Sequence, residues 1–98
     1  MNFNDLVEYS ADGIVGRRII QKSTGNVSLF AFDAGQQLSE HTAPFDAMIQ
    51  VLEGGAEIFI DGKAYQVSRG ESIIMPANIP HAVNAVERFK MLLTMIKE

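Results

Sequence analysis

His41 and His81 are the only imidazoles in this chain of 98 residues, and they are the side chains best suited to chemistry. A neutral imidazole ligates transition metals, and its charge changes near neutral pH. Two such rings brought together can hold a metal ion, grip an anionic ligand when protonated, or move a proton. The chain has no cysteine, which removes disulfides, thiolate nucleophiles and sulfur-built zinc or iron–sulfur sites. Histidine, carboxylate and amide are then the donors counted for any metal. Ser39, Glu40 and His41 are consecutive, so they cannot converge as a triad along one strand. No Walker-type loop, glycine fingerprint opening a helix, or nucleophile elbow occurs. Phosphoryl transfer and serine hydrolysis therefore have no support.

Short apolar runs punctuated by Gly, Asn and Asp at intervals of about ten residues have the cadence of an all-β sandwich or barrel. The strongest local signal is a hairpin between Ala56 to Ile60 and Ala64 to Val67, where Asp61-Gly62 supplies the positive φ angles of a tight type I′ turn. Gly54-Gly55 and Arg69-Gly70 are further turns, placing strands at about Ala47 to Leu52 and Ser72 to Met75. Two more strands are expected at Ile14 to Ser23 and Asn26 to Asp33. In the tail, Phe89, Met91, Leu93 and Met95 recur at a spacing of two, which favours a strand over a helix. Its other face is expected to be partly buried or covered by a partner. After the proline-bounded turn His81 is expected to open the next strand, although alternation over Ala82 to Val86 is too imperfect to settle it. Asn2 to Gly13 is the one polar, loosely patterned region, read as an arm that packs on a neighbouring molecule.

Composition bounds the rest. The mass of 10.8 kDa allows one core of useful size, and 47% hydrophobic residues suffice to build it. The whole chain, 1–98, is expected to be a single domain. Eight basic against twelve acidic residues give a net charge of −4, which repels a phosphate backbone, so nucleic acid is not expected as a partner. No basic patch precedes an apolar run at the start, and no run approaches the ~18 residues of a membrane span. A cytoplasmic location without membrane association is the expectation. The glycosylation triplet Asn26-Val27-Ser28 is read as chance.

Around the histidines, Gly35, His41 and Gly54 form one spaced set, and Gly70, Pro76 and His81 another. With these, the sequence resembles the cupin family. The first cupin motif is G, five residues, H-x-H, three or four residues, E, six residues, G; the second is G, five residues, P-x-G, two residues, H, three residues, N. The resemblance spans about 35–54 and 70–84. Asn78 replaces the glycine of the second motif, a substitution suited to the left-handed backbone region, and Asn84 falls one position early. It implies an all-β, antiparallel, jelly-roll-like barrel, with His41 and His81 facing each other inside.

In cupins two histidines and a glutamate of the first motif, with the histidine of the second, hold a divalent metal. Here the second histidine position is Ala43 and the glutamate position is Ala47. Two imidazoles and water hold a first-row metal far less firmly than three imidazoles and a carboxylate. Asp46 neighbours the lost glutamate but points to the opposite face unless the bend after Pro44 shifts the register; Gln50 is also on the opposite face. His41, Ala43, Ala47, Ile49 and His81 are the expected ligand pocket, enlarged and made more apolar by the alanines. Met48, Met75, Met91 and Met95 are read as core filling rather than as a ligand surface.

The expected function is a small-molecule binding or sensing module with a degenerate site. The alternative is a metal-dependent isomerase or dioxygenase using His41 and His81 plus water, with a weakly held divalent ion as cofactor. A homodimer is expected, with Met91 to Ile96 as its apolar contribution.

Overall fold

A computed structural model describes residues 1–97. Among the described residues nine strands follow a single 3-10 turn at Phe3–Asp5: β1 Ile14–Lys22, β2 Gly25–Phe32, β3 Gln37–His41, β4 Asp46–Glu53, β5 Gly55–Ile60, β6 Lys63–Ser68, β7 Ser72–Met75, β8 His81–Asn84 and β9 Phe89–Ile96. They form a five-stranded sheet in the order β1-β2-β9-β4-β7 and a four-stranded sheet in the order β3-β8-β5-β6. All pairings are antiparallel. The all-β expectation and the central hairpin agree with this. Asp61 and Gly62 both have positive φ, 53° and 79°, as a type I′ turn requires. β8, which alternation in the sequence leaves unassigned, is fixed by its pairing with both β3 and β5.

The core lies between the sheets. Phe32, Ile49, Val51, Ile58, Phe89 and Met91 are buried there, and the rings of Phe32 and Phe89 stack at 4.6 Å. Each such side chain contributes roughly 1.5–3 kcal/mol by leaving water. Strand alternation explains why one long sheet has two apolar faces. On β9, Phe89, Met91, Leu93 and Met95 point between the sheets, whereas Leu92 joins Val7, Leu29 and Ala31 in a second cluster on the outer face.

That second cluster corrects the expectation for the N-terminal arm. Residues 2–13 pack on their own sheet rather than on a neighbour: Val7 is buried, and Phe3, Leu6 and Tyr9 pack around it. The physical reason is the apolar outer face of β2 and β9, which needs a cover. β9 is also a central strand, hydrogen-bonded on both sides, so the tail offers no edge for pairing. Buried Asn26, at 5% exposure, leaves no accessible glycosylation site.

Polar groups fasten the arm. Lys90 is buried, its Nζ donates to the Asn4 carbonyl at 2.7 Å, and it lies 5.1 Å from the centre of the Tyr9 ring. Tyr9 donates its hydroxyl proton to Glu53; burial first, and then that bond, raise its phenol well above the ordinary value. Lys90→Ala is expected to cost about 1.5–3 kcal/mol by removing a charge-assisted bond. Amide exchange of residues 3–9 should accelerate more than that of β4. Unchanged protection at Val7 would show that Lys90 does not hold the arm.

Candidate functional site

The two histidines meet because β3 and β8 pair in a register that puts His41 opposite His81, after an irregularity in β3 between Leu38 and His41. The sequence reading sets both rings within the barrel. The structure buries His81 and leaves His41 exposed at the rim, because β3 is the edge strand of its sheet. The loop that delivers His81 is latched to the bend after His41 by two bonds: the Asn78 amide donates to the Ala43 carbonyl at 2.7 Å, and the Ala77 amide donates to Asp46 Oδ1 at 2.8 Å. Asn78 has φ 64°, the left-handed turn geometry that its side chain tolerates. Asp46 therefore serves the turn.

The rings stand edge to face with centres 4.3 Å apart, and their Nε2 atoms are separated by 3.0 Å. His41 Nδ1 contacts the Ser39 carbonyl at 2.8 Å and His81 Nδ1 the Ile79 carbonyl at 3.2 Å. A carbonyl only accepts, so each Nδ1 carries its hydrogen in the neutral ring. With both rings neutral the two Nε2 atoms face one another as acceptors, and a further proton between them, making one ring an imidazolium, turns the 3.0 Å approach into a hydrogen bond. A donor or a cation between them relieves that opposition. Burial, and next the charge on His41, hold the His81 imidazole below its ordinary value, while the Ile79 carbonyl opposes them.

That direction sets a stability window. Because the folded-state value lies below the unfolded one of about 6.5, the unfolded metal-free chain binds the proton more readily. His81's contribution is intact above about pH 6.5 and declines as pH falls below it. The urea midpoint of the wild type should fall more between about pH 8 and about pH 5.5 than that of His81→Gln. Equal declines would remove His81 as the cause.

Behind the pair lies a hollow of about 80 Å³ lined by His41, Ala43, Ala47, Ile49 and His81 together with Leu38, Met75, Val83, Met91, Leu93 and Met95. All five residues singled out from the sequence border it. The remaining liners follow from inward positions on β3, β7, β8 and β9, a signal available only once the strands are placed in sheets. Met75, Met91 and Met95 border the hollow together with Ala43 and Ala47. Met48, on the alternate face of β4, is not among its liners.

The fit to the divalent metal of the resembled family is poor. Among the described residues, no group of three His, Cys, Asp or Glu side chains is placed to hold an ion. Two imidazoles without a carboxylate do not make a firm site for a hard divalent cation.

The family model described as a cupin domain matches residues 28–96. A conserved protein of unknown function from Streptococcus pyogenes, SPY1581, has a similar structure, with a TM-score of 0.96 at 40% identity, covering 100% of this chain and 86% of that one. A cupin 2 conserved barrel domain protein from Leptotrichia buccalis gives a TM-score of 0.96 at 42% identity over 99% of this chain; the match spans 47% of that protein. A salicylate 1,2-dioxygenase from Pseudaminobacter salicylatoxidans is similar in fold alone, with a TM-score of 0.80 at 16% identity, covering 86% of this chain and 26% of that one. No curated protein matches the sequence. Among the described residues, no helix is long and apolar enough to cross a membrane.

Proposed function

Because the chain belongs to the cupin family, we propose that it is a small-ligand binding or sensing module of the cytoplasm rather than a catalyst, with the hollow behind His41 and His81 as its site. The observation that carries this reading is the pair of facing Nε2 atoms, 3.0 Å apart, at an apolar hollow to which no carboxylate among the described residues contributes. Such a site takes a small ligand with an apolar body and one donor or positive group.

Xenon and ethanol are suitable probes, one for the apolar hollow and one for its acceptor mouth. In an NMR titration both should shift the methyl resonances of Met75, Met91 and Met95. Ethanol alone should also shift the ring protons of His41 and His81, and His81→Ala should abolish that part. Methyl resonances that respond to neither probe would defeat the proposal.

The second reading, a metal-dependent isomerase or dioxygenase, is favoured by the deprotonated Nε2 pair alone. Near-stoichiometric divalent metal in protein purified without chelator, lost in His41→Ala or His81→Ala, would replace the first reading with this one. A homodimer belongs to the proposal as well. Ile20, Ile74 and Ile96, 50%, 63% and 54% exposed on the five-stranded sheet, supply apolar surface for it, and a monomer mass by light scattering at micromolar concentration would rule it out.

A further inference from the structure

We propose that the uncovered half of the outer face of the five-stranded sheet is the surface on which two copies of this chain meet, about a two-fold axis running along β9. The inference rests on the homodimer of the proposed function and gives it an interface and a symmetry.

The strand registers place one residue from each of the five strands in a single row. Ile74 pairs with Met48, Met48 with Thr94, Thr94 with Val27, and Val27 with Ile20. Residues paired directly across neighbouring strands share a face of the sheet, and Val27 packs with the outer cluster around Leu29 and Leu92, so the row lies outside. None of the five carries a charge. Beside this row, Ile96 pairs with both Gly25 and Asp46, and Gly25 with Lys22. A depression of about 190 Å³ opens here, bordered by Ile20, Gly25, Val27, Thr94 and Ile96.

The chain covers only the other half of this face. Its N-terminal arm packs Val7 with Leu29, Ala31 and Leu92, whereas Ile20, Ile74 and Ile96 stay exposed. The four-stranded sheet presents a different outer surface, on which Glu57 accepts hydrogen bonds from Gln66 and Asn84. That network suits water. Every exposed isoleucine among the described residues is therefore on one sheet and outside the arm.

Symmetry and charge identify the occupant as a second copy. Closed two-fold pairing requires a patch complementary to itself, and β9 is the middle strand of five. An axis along it sets β4 of each copy over β2 of the other, and β7 over β1. Ile20 then meets the partner's Ile74 at both ends of the row, and Thr94 meets its own equivalent on the axis. Met48 lies over Val27 and the depression, where a flexible thioether fills uneven space. Asp46 on β4 and Lys22 on β1 come to neighbouring positions on opposite copies, so the charges at the rim fall in attractive pairs. Aligned sheets pack about 10 Å apart with strands within about 30° of one another, a gap that lysine and methionine side chains bridge. An axis at right angles would instead stack β1 on itself, and β1 carries Arg17, Arg18 and Lys22 with no acidic residue.

The test is sedimentation velocity of the intact protein over a concentration series. Ile20→Glu and Ile74→Lys alter exposed positions on opposite edge strands, about 19 Å apart within one chain at the usual strand spacing. Their charges cannot meet inside a monomer. Each substitution alone should raise the dimer dissociation constant at least about a hundredfold, because two isoleucine contacts are lost per dimer. The double variant should recover at least about tenfold of that loss, since the carboxylate of one copy then lies against the ammonium of the other. Thr94→Arg, which opposes two like charges on the axis, should leave a monomer. Circular dichroism checks that each variant is folded. A wild-type dimer that the single variants leave intact would place the interface elsewhere, and a double variant no better than the singles would reject the axis. Either result overturns the inference while the homodimer stands. A wild-type monomer at micromolar concentration overturns both, and leaves the ligand-binding reading to the xenon and ethanol titrations.

Discussion

Gly54→Ala is expected to lower stability by about 3 kcal/mol or more, a large share of the total for a domain of this size. Gly54 has φ +71°, where an L side chain is already strained. A Cβ there would also lie 2.2 Å from the Arg88 carbonyl oxygen and 3.1 Å from Phe89 Cα. Neither neighbour can move cheaply. Phe89 is fully buried against Phe32, and its strand is paired on both sides. Gly62→Ala is the matched control: φ is +79° and nothing lies within 4 Å of the added atom, so it should cost only about 1–2 kcal/mol of backbone strain. Urea melts of the two variants separate the clash from the strain. Equal losses would show that the close approach at Gly54 does not govern the effect.

The same glycine illustrates which parts of the fold are legible in sequence. Gly54 closes the first spaced motif and appears there as a turn; that it also admits a backbone from β9 depends on sheet order, which no local pattern encodes. Local signals do well where they are self-contained. Asp61-Gly62 dictates its hairpin, and the alternation of Phe89, Met91, Leu93 and Met95 dictates a strand with one face inward. They do poorly where position is imposed from outside. Phe3, Leu6 and Val7 keep a helical spacing for one turn only and Tyr9 breaks it, so residues 2–13 look like a loose polar arm, yet the apolar outer face of β2 and β9 gives those side chains a place to pack. At the site, spacing identifies His41 and His81, but the edge position of β3 in its sheet decides that one ring stands at the rim. Nothing local reveals that Met75, Met91 and Met95, on two different strands, border one hollow.

Ala47→Glu should convert the wild-type site into one that responds to divalent metal. Ala47 is 6% exposed, borders the hollow with both histidines, and lies opposite Met75 on one neighbouring strand and Met95 on the other. A carboxylate introduced there is taken out of water among thioether and hydrocarbon groups. Without metal the variant should therefore be less stable by about 2–3 kcal/mol. A divalent ion reverses the sign of the effect, because the new oxygen donor and the two Nε2 atoms then neutralise and coordinate it together. Binding confined to the folded state stabilises by about 2.7 kcal/mol at a hundredfold excess over Kd, enough to restore the melting temperature. Adding Ala43→His should strengthen the response, since a third imidazole raises the donor count again. Thermal melts with Mn(II) or Zn(II), reversed by chelator, check this. A wild type that gains as much as the variant would mean that the missing carboxylate is not what limits the site. A variant that gains nothing would mean that position 47 and the histidine pair do not address a common centre.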